Sequence, residues 1–182
     1  MSLRLASPVI AEGPVAAWRA MWPGVSLMLA VLVAAAPGGA SAFPVAALVP
    51  VMVIFYWVVT GAGRLPFALV FAAGLVLDAV SYAPCGVWAL IHVAVALLAA
   101  TVAEFANVGL VHRTAMLVAC LGLASVLHVV LMLVFGAELP PVVDVASAIG
   151  LAVVGYPVLA GALRIATAGP SEPQLFDRAG WL

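Results

Sequence analysis

Three side chains with acid–base or metal-binding chemistry stand deep inside apolar sequence. Asp78 lies in GLVLDAV, His92 in WALIHVAV and His128 in ASVLHVVL. One carboxylate and two imidazoles can relay a proton or ligate a metal. Their spacing selects neither, because no pair stands at i and i+4 and no HExxH is present. Ser81, Ser125 and Ser147 are isolated and none lies in GxSxG, so nucleophilic catalysis has no constellation to use. Cys85 and Cys120 are far apart, without CxxC spacing, and read as small packing residues. No GxxxxGK[ST] nucleotide loop occurs.

The elements that hold these groups follow from composition. Of 182 residues, 68% are hydrophobic and only 7% charged, and the mean hydropathy is +1.34. A water-facing domain needs about a quarter of its residues charged. The expected class is therefore an all-α integral membrane protein, a single bundle within the lipid bilayer. Six arginines, no lysine and a net charge of −1 give no basic surface for nucleic acid.

Charge-free apolar runs locate six expected transmembrane helices, at about 20–36, 44–60, 65–82, 86–103, 115–135 and 143–165. They form a bundle over 20–166, between a short N-terminal segment, 1–19, and a short tail, 167–182. Pro37-Gly38-Gly39, Gly61-Ala62-Gly63 and Ala83-Pro84-Cys85-Gly86 are turn signals between spans. Ala40-Ser41-Ala42 also resembles a leader cleavage site. The interhelix turn is the expectation; cleavage after Ala42 would leave five passes.

Arginine sets the orientation. Arg4, Arg19, Arg64, Arg113, Arg164 and Arg178 all fall in, or beside, segments on one side of the membrane if both termini are cytoplasmic. The loops near 37–43, 83–86 and 136–142 contain none. In this topology Asp78 lies roughly 8 Å below the outer turn at 83–86. His92 lies at nearly the same depth on the next helix, and His128 also belongs to the outer half. Intramembrane ionisable groups usually face the bundle interior and pair with one another. Asp78 is expected to bond His92 with His128 nearby, or else to accept backbone N–H groups of the 83–86 turn. Partner docking and a metal or proton site are further uses of the same cluster.

Aromatic residues Trp18, Trp22, Tyr56, Trp57, Tyr82 and Trp88 read as interface anchors. The pairs Ala68/Ala72, Ala96/Ala100, Ala146/Gly150 and Ala148/Ala152 have the spacing that lets helix backbones approach closely. Pro50 and Pro157 fall within spans. The tail carries Phe176, Asp177, Arg178 and Trp181 and suits a membrane surface.

The segment 56–90 resembles the rod shape-determining membrane protein family MreD. The likeness rests on Tyr56-Trp57, Leu65-Pro66, Gly74-Leu75 with Asp78, a turn with Pro84 and Gly86, and Ala89-Leu90. Tyr82 and Cys85 depart from the family pattern, which often has Gly and Leu there. The resemblance implies a non-enzymatic, cofactor-free scaffold subunit of the cell-wall elongation machinery in the bacterial inner membrane. Its implied partners are an MreC-like single-pass periplasmic scaffold, a RodA-like glycosyltransferase, a class B penicillin-binding transpeptidase and an MreB-like filament. It also implies a fold like the membrane substrate-binding subunits of energy-coupling-factor transporters. That likeness suggests the alternative function, a transporter subunit with an outward-facing pocket lined by Asp78, His92 and His128.

Overall fold

The computed structural model describes residues 14–36, 45–61, 65–81, 83–103, 110–136 and 139–167. They form six α-helices: α1 (Pro14–Ala35), α2 (Val49–Thr60), α3 (Phe67–Ser81), α4 (Val87–Ala103), α5 (Leu110–Val134) and α6 (Val142–Thr167). A short 3-10 turn, Val45–Leu48, leads into α2, and no strand occurs among the described residues. The expected turn at 37–43, Arg64, Tyr82, Glu104 and the tail at 168–182 lie outside the described residues.

Each helix falls where an apolar run predicts one, but three boundaries move. α1 begins at Pro14 rather than near 20, α2 begins at Val49 rather than near 44, and α5 begins at Leu110 rather than near 115. For α1 and α5 the cause is the same: the charge-free run is cut at Arg19 and at Arg113, yet arginine is a good helix former and stops neither helix. Pro14 suits a first helical position, where a backbone N–H has no intrahelical partner. Pro50 is likewise not a mid-span residue: the chain turns in 3-10 form before it, so it stands in the first turn of α2. Pro157 is inside α6 as expected.

α2 is the central helix. Every residue from Pro50 to Trp57 is buried, as fits a helix apolar on all sides. α3 packs most extensively on α4, and α2 also lies against α4; α1 covers α2 and α3, and α5 lies against α4. α6 is the outermost helix, with only Ala148, Ala152 and Leu163 buried among its described side chains. Burial also corrects the reading of the aromatics. Trp57, Tyr56 and Trp88 are core residues, so they fill space between helices instead of anchoring the surface. The Trp57 indole N–H donates to Ser26 Oγ at 2.8 Å, and that hydroxyl donates to the Pro23 carbonyl at 3.1 Å, tying α2 to α1. Phe55 meets Tyr156 edge to face at 5.6 Å, tying α2 to α6.

The outer surface is apolar. Leu32, Val154, Val158 and Ile165 are 65–77% exposed, far from the charged cover a water-soluble domain carries. α5 and α6 are long and apolar enough to cross a membrane. The other four helices carry shorter apolar stretches.

Candidate functional site: the Asp78 hairpin

On α3 the buried residues are Val70, Ala73, Gly74, Leu77 and Asp78. This i, i+3, i+4, i+7, i+8 series is one helical face, so the pattern that buries Leu77 also buries Asp78. The face packs on α4, whose first turn lies directly across the hairpin. Gly74 makes the close approach possible. A Cβ there would lie 2.8 Å from the Trp88 carbonyl carbon and closer still to the Ala89 backbone, so any side chain would push the helices apart.

The turn is built by Pro84 and Gly86. The Pro84 carbonyl accepts the Val87 N–H at 3.3 Å, and Gly86 stands between them at φ +99°, a conformation that favours glycine. Gly86 precedes α4 but has no side chain with which to cap it. The first N–H groups of any helix lack intrahelical acceptors. Asp78 supplies both: Oδ2 accepts the Gly86 N–H and Oδ1 accepts the Trp88 N–H, each at 2.8 Å. A helix N-terminus also favours negative charge. Asp78 is thus an N-cap delivered from the preceding helix.

This arrangement corrects the expected Asp78–His92 bond. Both carboxylate oxygens engage backbone donors, and neither ring nitrogen of His92 has a hydrogen-bond partner. The backbone reading of Asp78 holds, because two orphan amides at the helix start face the carboxylate. Sequence level still brings the three residues together, through a residue assigned to the membrane surface. The Trp88 ring centroid lies 5.0 Å from that of His128 and 6.0 Å from that of His92. Trp88 therefore supplies an amide to Asp78 and a ring to both histidines. Its place as the second helical residue after a turn glycine was the signal available for the first role.

Asp78, His92 and His128 are 2%, 0% and 7% exposed. Among the described residues no group of three or more His, Cys, Asp or Glu is placed to hold a metal. The contacts of Asp78 are structural: they close the α3–α4 hairpin and fix its register. Of the cysteines, Cys120 is buried, whereas Cys85 is exposed in the turn itself. The small-residue pairs divide. Ala148 and Ala152 face inward, Ala96 is buried with Ala100 outside, and Ala68/Ala72 and Ala146/Gly150 stay on the surface.

No family model, curated protein or solved structure matches this chain.

Proposed function

We propose that the chain is a six-pass scaffold subunit of the bacterial inner membrane, N-in and C-in, that docks the helices of cell-wall elongation proteins. The sequence resemblance to MreD motivates the reading, and one observation carries it: α6 keeps an open small-residue face. Ala146 and Gly150 are exposed one turn apart, flanked by exposed Val143, Leu151 and Val154. A Cβ added at Gly150 meets nothing within 4 Å. In lipid, helices associate through such faces, where backbones approach closely and van der Waals contact replaces hydrophobic drive. The helix of an MreC-like single-pass scaffold is the proposed occupant, with RodA-like and transpeptidase partners further out. The Asp78 hairpin supports this role by making the α3–α4 pair rigid. The enclosure of Asp78, His92 and His128 favours the scaffold over a transporter subunit, whose pocket must admit solute.

Affinity purification of the tagged protein from its native membrane in mild detergent, followed by mass spectrometry, tests the proposal. The wild type should recover a single-pass periplasmic scaffold and wall-synthesis enzymes, and Gly150→Leu should lose the scaffold at equal protein level. Recovery of nucleotide-hydrolysing subunits with a second multi-pass protein would overturn it in favour of transport.

A further inference from the structure

A cavity of about 540 Å³ opens where α2, α5 and α6 meet, lined by Tyr56, Thr60, Arg113, Pro157, Gly161 and Arg164 among others. Its size lies in the range of small-ligand sites, roughly 300–1,000 Å³. Two arginines, from the start of α5 and the end of α6, line it in a chain with few charges. Among the described residues no carboxylate lines the cavity and neither arginine forms an ion pair. Two cations lining one cavity beside a low-dielectric interior repel less when an anion lies between them. The hydroxyls of Thr60 and Thr167 already donate to the carbonyls of Tyr56 and Leu163. Of the remaining polar side chains that line the cavity, Arg113, Arg164 and Tyr56, the two arginines can only donate. Room for a ligand comes from the short side chains of Ala160 and Gly161 and from Pro157.

We infer that this cavity binds a phosphate group, held by Arg113 and Arg164. The planar fork of arginine matches phosphate oxygens in pairs, and basic pockets between membrane helices commonly hold anionic headgroups. The phosphate comes from an anionic phospholipid or from the free ion. This site is separate from the α6 docking face, and the inference does not depend on the scaffold reading.

The test uses the full-length protein, delipidated in dodecyl maltoside, with dioctanoyl phosphatidylglycerol, dioctanoyl phosphatidylcholine and inorganic phosphate as probes. Affinity is read by calorimetry, and folding by helix content and gel filtration. Phosphatidylglycerol binding with phosphate and phosphatidylcholine at least tenfold weaker supports the site with a lipid source. Inorganic phosphate binding as well as the lipid supports it with a free-ion source. In either case Arg113→Gln and Arg164→Gln each weaken binding about tenfold, the scale of one charge-assisted hydrogen bond. Gly161→Leu keeps both arginines and adds a side chain where a Cβ meets nothing within 4 Å; it should abolish binding even if the arginine variants do not fold. Absence of binding by both anions, or affinity unchanged in Gly161→Leu, overturns the inference.

Discussion

Asp78 accepts two hydrogen bonds from the start of a helix it does not belong to, and this defines what its replacement should do. Asp78→Ala leaves two amides without acceptors in a buried or half-buried setting, a loss of about 2–3 kcal/mol. Asp78→Asn keeps one acceptor oxygen but loses the charge at the helix terminus, and should cost about half as much. Denaturant titration in mixed micelles measures both. His92→Leu should be neutral or stabilising, because it removes a buried polar ring with no hydrogen-bond partner. Its coupling to Asp78→Ala in a double-mutant cycle should be small, about 0.5 kcal/mol, since the two share Trp88 but no hydrogen bond joins them. Gly74→Ala should be at least as damaging as Asp78→Ala, because the added carbon meets Ala89 backbone that no rotamer change can move. The shared depth of Asp78, His92 and His128 was legible in the sequence, since it follows from counting residues to a turn. The partner was not. Pairing by charge type suggests histidine, whereas the stronger demand came from amides left open because Gly86 cannot cap its own helix.

At the scale of elements, apolar runs and turn residues located all six helices, and arginine misplaced the starts of α1 and α5 because a charged side chain does not by itself end a helix. The central position of α2 was not legible. Its Tyr56 and Trp57 carry polar atoms, which at a predicted span end suggest an interface; the buried Ser26 hydroxyl on α1 makes Trp57 a core residue instead. A double-mutant cycle of Ser26→Ala and Trp57→Phe should give a coupling of about 0.5–1.5 kcal/mol, the range for hydrogen bonds between membrane helices. Zero coupling would mean that α1 and α2 are held by shape alone. α6 behaves differently. Its inward face is limited to Ala148, Ala152 and Leu163, so Gly150→Leu on the opposite side should leave unfolding within about 0.5 kcal/mol of wild type, as surface substitutions do. The same variant should lose its partner, which separates docking from folding.

For the whole molecule, two features of the described residues stand out: an apolar outer surface, and two arginines, Arg113 and Arg164, gathered at one end. Arg113 and Arg164 line a single cavity together with Thr60, the last residue of α2. The end of α2, the start of α5 and the end of α6 therefore lie on one side, as helices that alternate in direction require. The proposed orientation makes that side cytoplasmic, and the Asp78 hairpin then closes at the periplasmic surface. The chain carries its own reporter, because Cys85 is exposed in the hairpin turn and Cys120 is buried. The most direct test is labelling with a membrane-impermeant maleimide on intact spheroplasts, with Cys85→Ser as the control for Cys120. The wild type should be labelled without permeabilisation and Cys85→Ser should not. Labelling of Cys85 only after the membrane is opened would place the hairpin in the cytoplasm and contradict the topology on which the proposed scaffold role rests.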